Sequence, residues 1–329
     1  MQKDSIFDIF SIKSAEEFEV IAIKTFHYQA ENNAIYKEYL QLLKIESSEI
    51  KSIHDIPFLP IDFFKSHKII CGTSNHEKVF FSSGTTGSVR SNHFISDLSV
   101  YETSFKKGFT HFYGSITDYC ILALLPTYLE NESSSLVYMT DHLIRLSQHT
   151  ESGFYLKNTQ ELIQKLSYLE KIKQKTILLG VSYALLDLAE NYPIKLDHTI
   201  VMETGGMKGK RKELTRQELH SVLTKGFGVE SIHSEYGMTE LLSQAYSSGN
   251  GKFYCPPWMK IFIRDMYDPF SFLENGKSGG INIIDLANIN SCAFIETKDL
   301  GKINSDGRFE VSGRFDASDI RGCNLLVAE

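Results

Sequence analysis

The chain of 329 residues is 42% hydrophobic and 23% charged, which excludes disordered, collagenous and low-complexity classes. Its 34 basic and 41 acidic residues give a net charge of −7, so neither nucleic acid nor an anionic membrane is indicated as a main partner. The length suits one large α/β domain or two modest ones.

The first ten residues lack the long apolar run of a secretory signal. Residues 14–43, rich in Glu, Lys, Ala and Leu at helical spacing, predict amphipathic helices, and Pro57 and Pro60 break that pattern. The most apolar run, 119–129, is too short for a membrane helix and contains Pro126. Further on, 176–180 and 199–203 predict buried strands, each followed by a helix, at 183–190 and 216–225. Strand and helix in alternation predict a layered α/β core with largely parallel pairing. From Met259 onward the chain reads as β-rich, with strands at 260–264, 280–284 and 293–297. Two further strands, 301–304 and 308–311, flank Asp306-Gly307, a pair that favours positive φ in tight hairpins. Five cysteines (71, 120, 255, 292, 323) with no Cys-x-x-Cys spacing indicate a reducing compartment, and the eleven histidines form no His-Glu-x-x-His motif. These features predict a cytoplasmic protein without membrane insertion.

The sharpest local signal is Val79-Phe-Phe-Ser-Ser-Gly-Thr-Thr-Gly-Ser-Val-Arg90. An apolar run stops in Ser82, Ser83, Gly84, Thr85, Thr86 and Gly87, whose N–H groups and hydroxyls can converge on an anion, with Arg90 supplying charge. A nucleoside triphosphate fits that chemistry; a solvated Ser/Thr-rich hairpin turn is the alternative. The usual phosphate loop is ruled out near Gly209-Lys210 by Thr204 and Arg211, and a dinucleotide fingerprint after Gly226-Phe-Gly228 is ruled out by Ser231.

Phe81-Ser-Ser-Gly-Thr-Thr-Gly87 resembles the phosphate loop of the adenylate-forming superfamily, which includes acyl-CoA synthetases and aryl-CoA ligases. Four more elements follow in that family's order. Glu203-Thr204-Gly205-Gly206 resembles its adenine-contacting segment, and Tyr236-Gly237-Met238-Thr239-Glu240 its Tyr-Gly-x-Thr-Glu motif. Glu296-Thr-Lys-Asp299-Leu resembles the Thr-Gly-Asp-Leu segment that holds the ribose, with Lys298 in place of glycine. Gly313-Arg314-Phe-Asp316 resembles the Gly-Arg-x-Asp hinge. The narrower resemblance is to the bacterial acyl-protein synthetases, the fatty-acid-activating subunit of the bioluminescence fatty acid reductase complex. In that family a cysteine near the C-terminus receives the acyl group, and Cys323 in Arg321-Gly-Cys-Asn matches it. Leu124-Leu-Pro-Thr-Tyr-Leu-Glu130 and Ser133-Ser-Ser135 also resemble that family.

The resemblance implies an α/β adenylate-forming domain over 1–313, including a helical region 1–70, and a tail over 314–329. It also implies that the superfamily's mobile C-terminal domain is lacking. It implies ATP as substrate, Mg2+ held by Glu240, ribose contacts at Asp299 and Arg314, a carboxylic or fatty acid to activate, and an acyl reductase as protein partner. Thiolate attack suits the second step, and Arg321 favours ionisation of Cys323. Arg90 stands where many relatives carry lysine, which keeps the charge and changes the geometry. An acyl- or aryl-CoA ligase is the alternative, as is a nucleotide-binding or acyl-carrier subunit without turnover of its own. A serine thioesterase is a third, because Gly180-Val-Ser182-Tyr-Ala184 sits as a nucleophile elbow does, with Asp197, His198 or His233 as partners. His93 and His111 receive no role.

Overall fold

The computed structural model describes residues 8–73, 75–83, 89–126, 131–205 and 214–315. Helix α1 (Ala15–Asn32) and helix α2 (Ala34–Leu42) are separated by one residue. Ser14 caps α1 by accepting the Glu17 N–H at 3.2 Å. Asn33 ends α1 and begins α2: its Oδ1 accepts the Tyr36 N–H at 3.0 Å and its Nδ2 donates to the Ser291 carbonyl at 2.9 Å. Buried Gln29 donates to the carbonyls of Asn288 and Ile289 and accepts the Ala293 N–H, so these helices are built onto the β-rich part of the chain.

Strand β1 (Leu59–Pro60) and the short helix α3 (Phe63–Ser66) lead to a two-stranded hairpin of β2 (Lys78–Phe81) and β3 (Asn92–Ile95). Its register pairs Phe81 with Asn92, so the Ser/Thr/Gly-rich stretch joins the two arms. Helix α4 (Leu98–Tyr113) follows.

The central sheet contains β4 (Cys120–Leu124), β5 (Gly153–Phe154), β6 (Thr176–Val181), β7 (Thr199–Thr204), β8 (His233–Tyr236) and β9 (Ala245–Ser247). They lie in the order β5-β4-β6-β7-β8-β9, all parallel except for the β8–β9 pair. Helices α5 (Ser135–Ser147), α6 (Thr159–Lys171), α7 (Ser182–Asn191) and α8 (Arg216–Phe227) lie between the strands in sequence, as parallel pairing requires. Every residue of β4 and β6 is buried, which is why both read as unbroken apolar runs.

The second sheet is antiparallel, in the order β10-β14-β13-β12-β11, with β1 parallel to β13. Its strands are β10 (Lys252–Phe253), β11 (Met259–Arg264), β12 (Ser278–Asp285), β13 (Phe294–Ile303) and β14 (Phe309–Arg314). Here two expectations are corrected. The separate strands at 293–297 and 301–304 are one strand, β13, with a register shift against β14 between Leu300 and Gly301. The charged pair Lys298-Asp299, which lay between the two expected strands, is held in the ladder, with Asp299 opposite Arg314. At the hairpin tip only Gly307 takes positive φ (81°), while Asp306 accepts the Arg308 N–H at 3.1 Å.

The two sheets meet at the turn after β8. Buried Asp285, at the end of β12, accepts the N–H groups of Leu242 (2.8 Å) and Ser243 (3.0 Å) and the Ser243 hydroxyl (2.5 Å). That seam fixes the acidic turn against the antiparallel sheet. Among the described residues no helix is long and apolar enough to cross a membrane.

Candidate active site at the seam between the sheets

The hairpin closes tightly where the Ser/Thr/Gly-rich stretch leaves it. Ser82 Oγ accepts the Ser91 N–H at 2.9 Å, and the Ser82 N–H donates to the Ser91 carbonyl at 3.1 Å. The hydroxyl oxygen and the backbone N–H of Ser82 therefore both serve the neck. Ser83 and Arg90 are exposed on either side. Gly84, Thr85, Thr86 and Gly87 lie outside the described residues, as do Gly206, Asp316 and Cys323.

At the carboxyl end of β7, Glu203 is 5% exposed and accepts the Ser182 hydroxyl at 3.2 Å. Arg216 Nε lies 3.7 Å and His220 Nε2 3.6 Å from its other oxygen. Thr204 donates its hydroxyl to Glu235, and Gly205 turns the chain with φ of 67°. Burial, opposed by the Thr204 bond and reinforced by the Glu203 charge, pushes the Glu235 carboxyl up to about 7. Gly237 leaves room beside it, since a Cβ there would lie 2.5 Å from the Glu235 carboxylate and shift that side chain.

Three residues that are far apart in sequence converge here. The Tyr236 hydroxyl donates to Asp299 Oδ2 at 2.7 Å, and Arg314 Nε lies 3.9 Å from Asp299 Oδ1. Asp299 is thus a strand residue aimed by a tyrosine, not the cap of a turn, and Tyr236 is buried with its hydroxyl committed. Burial raises the Asp299 carboxyl, while Tyr236 and Arg314 pull it down. Glu240 sits in the turn after β8 rather than at a helix start, 5% exposed. Burial raises its carboxyl, and the Ser91 hydroxyl bond and the Arg314 charge offset this. Asp299 acts on Glu240 in the opposite sense, so the two carboxylates share one electrostatic environment with Arg314 as its cation. Met238 and Thr239 link Tyr236 to Glu240, and the Thr239 carbonyl lies 2.8 Å from His93 Nδ1.

Lys298, the departure from the family motif, points away from this cluster. Adjacent strand residues face opposite sides, and its ammonium pairs with Asp62 at 2.6 Å. Asp299 is therefore kept free of that charge.

Sequence reasoning missed four contributors. Ser91 and His93 belong to the exit arm of the hairpin, and Glu235 precedes the tyrosine motif. Arg264, at the end of β11, is buried and donates to the Thr297 carbonyl (2.8 Å), Asn282 Oδ1 (2.8 Å) and the Ile281 carbonyl (3.1 Å). Its Nη2 lies 3.5 Å from Glu296, and Gly280 leaves the space it fills, because a Cβ there would come 2.4 Å from Arg264 Cζ. Only its place after an apolar run could have drawn notice.

The described groups offer a magnesium–triphosphate ligand one hard oxygen donor. No cluster of three His, Cys, Asp or Glu able to hold a metal exists among the described residues. One buried hard carboxylate, Glu240, suits a cation that takes its remaining oxygens from phosphates and water. The serine-elbow arrangement is not assembled. Ser182 does open α7 after β6, but its hydroxyl is directed at Gly205 and Glu203, while His233 pairs with the Tyr113 hydroxyl at 3.2 Å and Asp197 with Lys195 at 3.0 Å.

Comparison with solved structures defines the fold. The chain is similar to 2-hydroxyisobutyryl-CoA ligase in the postadenylation state in complex with 2-HIB-AMP, at 13% identity and a TM-score of 0.68, covering 96% of this chain and 72% of that one. It is also similar to the same ligase with 2-HIB-AMP and CoA in the thioesterification state, at 14% identity, a TM-score of 0.68 and the same 96% and 72% coverage. Against ATP-bound MatB from Rhodopseudomonas palustris the identity is 15% and the TM-score 0.57, over 74% of this chain and 49% of that one. The chain thus spans about half the length of MatB. No curated protein matches it in sequence. The fold is the mixed α/β fold of the amino-terminal domain of adenylate-forming ligases, with a helical start and a β-rich end.

Within that class the chain belongs to the acyl-protein synthetase family LuxE, whose family model matches residues 11–329.

Proposed function

We propose that this chain activates a carboxylic acid, a fatty acid by family, as its acyl adenylate at the expense of ATP, and then carries the acyl group on Cys323 to a reductase partner. The observation that carries the reading is the convergence of Tyr236, Asp299, Arg314 and Glu240 at the seam. It supplies an aimed acceptor for ribose hydroxyls, a cation beside it, and a separate buried carboxylate.

In the first step a carboxylate oxygen attacks the α-phosphorus, an O–P bond forms, and the bond to pyrophosphate breaks. Charge grows on phosphate oxygens as this happens. The N–H groups of Gly84 to Gly87, the hydroxyls of Ser82, Ser83, Thr85 and Thr86, and Arg90 answer that charge. Glu203, Thr204, Gly205 and Gly206 contact the adenine, and Gly237, Met238 and Thr239 contribute to the same nucleotide site. Asp299 accepts from the ribose hydroxyls, aimed by Tyr236. Magnesium, held by Glu240 when bound, neutralises part of the triphosphate charge.

In the second step the Cys323 thiol gives its proton to solvent, the thiolate sulfur attacks the acyl carbonyl, and the C–O bond to AMP breaks with AMP taking the electron pair. The remaining cysteines are poor candidates. Burial pushes the thiols of Cys71, Cys120, Cys255 and Cys292 up, Cys120 to about 11 and Cys292 to about 12, which starves each of thiolate at neutral pH. The unit over 1–313, including its helical region 1–70, performs adenylation together with Arg314, the last residue of β14, and the rest of 314–329 serves as the acyl-bearing tail. ATP supply and a reduced thiol place the reaction in the cytoplasm.

With radiolabelled fatty acid and ATP, wild type carries hydroxylamine-labile label, and Cys323→Ser forms adenylate but carries none. Equal labelling of the two removes Cys323 from the mechanism. Release of acyl-CoA from added CoA, with no labelled protein, turns the reading into that of a CoA ligase.

A further inference from the structure

Ser91 touches both sides of the candidate site. Its N–H and carbonyl close the neck of the hairpin on Ser82. Across the seam its hydroxyl faces the Glu240 carboxylate and holds that carboxyl down against the effect of burial. Two residues on, and therefore on the same side of the exit arm, His93 places Nδ1 2.8 Å from the carbonyl of Thr239, the residue before Glu240.

Both side chains are buried, Ser91 at 3% and His93 at 0% exposure. A carbonyl accepts only, so the hydrogen of the neutral ring sits on Nδ1. Burial pushes the His93 imidazole down to about 4, which keeps it neutral and in that tautomer at physiological pH. Its Nε2 has no hydrogen-bond partner, and the edge of the Phe64 ring meets the imidazole at 5.5 Å between centroids. An aromatic side chain without nitrogens would pack there without leaving that buried atom unpaired. What the histidine adds is the bond to Thr239.

Two successive same-side residues of the exit arm thus face two successive residues of the turn after β8, His93 through its hydrogen bond to Thr239 and Ser91 toward Glu240. We propose that Ser91 and His93 are positioning residues that fix Glu240 relative to the phosphate-loop neck before nucleotide arrives. The inference rests on the nucleotide reading of the site. Its physical basis is tolerance. A carboxylate near a triphosphate repels it unless a cation stands between them, and small displacements decide which interaction dominates.

The test compares Ser91→Ala, His93→Gln and His93→Asn with wild type, using calorimetric ATP binding in magnesium and in EDTA, and acid-dependent pyrophosphate exchange. Asparagine returns an N–H where Nδ1 stood, whereas glutamine returns one where Nε2 stood. Loss of a hydrogen bond to a charged or buried partner corresponds to a change of about tenfold. Ser91→Ala and His93→Gln are expected to weaken ATP binding in magnesium by about that factor, leave binding in EDTA near wild type, and lower the exchange rate; His93→Asn recovers most of the loss. Ser91→Ala adds nothing further in a Glu240→Gln background, as required of a residue acting through Glu240.

The proposal is overturned if both losses persist equally in EDTA, if glutamine and asparagine behave alike at position 93, or if Ser91→Ala still weakens binding in the Glu240→Gln background. Wild type that binds ATP but shows no acid-dependent exchange refutes the proposed function instead, and the magnesium-dependent difference still decides the role of Ser91 and His93.

Discussion

In the parallel sheet, all five residues of β4 and all six of β6 are buried and none is charged. In the antiparallel sheet, β13 and β14 carry Glu296, Lys298, Asp299, Lys302, Glu310 and Arg314 among their buried apolar residues. The first sheet is a scaffold whose strand ends aim short segments such as Glu203–Gly205 and Tyr236–Glu240. The second brings its own charges into the ladder and must balance each of them. Alteration of the first should act mainly through packing, and alteration of the second through electrostatics.

Arg264→Met gives the largest expected effect on that second sheet. It removes the cation beside half-buried Glu296 and leaves the carboxylate without it, a change that costs about 3–5 kcal/mol when a buried pair is broken on one side. Urea denaturation should register this, together with lost nucleotide binding, because Arg264 also fixes the Thr297 carbonyl two residues before Asp299. A stability equal to wild type would show that the antiparallel sheet does not depend on balancing its buried charges.

A smaller effect sharpens the comparison at the one charged position of the parallel sheet that is strongly perturbed. Glu235 has its folded value raised from 4.5 to about 7 by burial. Between these values the folded protein holds a proton that the unfolded chain has released. Stability contributed by that proton therefore falls as pH rises through the window and levels off above about 7. Glu235→Gln lacks this dependence and keeps an acceptor for Thr204. Its stability relative to wild type should grow by roughly 3 kcal/mol between pH 4.5 and 8. Parallel pH profiles for the two proteins would mean that Glu235 titrates as an exposed carboxyl does.

Legibility followed the same division. Strands β6 and β7 could be read because strands covered by helices carry apolar runs, Ile177–Leu179 and Ile200–Met202, and their helices followed from periodicity. The course of β13 could not, because Lys298-Asp299 looks like a break until the ladder opposite Arg314 is known. The motif residues of the site, Tyr236, Glu240, Asp299 and Arg314, could be named from local pattern. Their convergence depends on sheet register and on the Asp285 seam, neither of which leaves a local trace. Ser91 and His93 were illegible for the same reason: His93 meets Thr239 across 146 residues of sequence.

The account turns on Asp299 as the acceptor that holds the nucleotide for adenylation, and pyrophosphate exchange into ATP tests this directly. Wild type is predicted to exchange only when a fatty acid is present, and Asp299→Asn to exchange about a hundredfold more slowly while melting as wild type does, the loss expected when two hydrogen bonds lose their charged acceptor. Exchange that needs no acid, or exchange in which Asp299→Asn equals wild type, would contradict it.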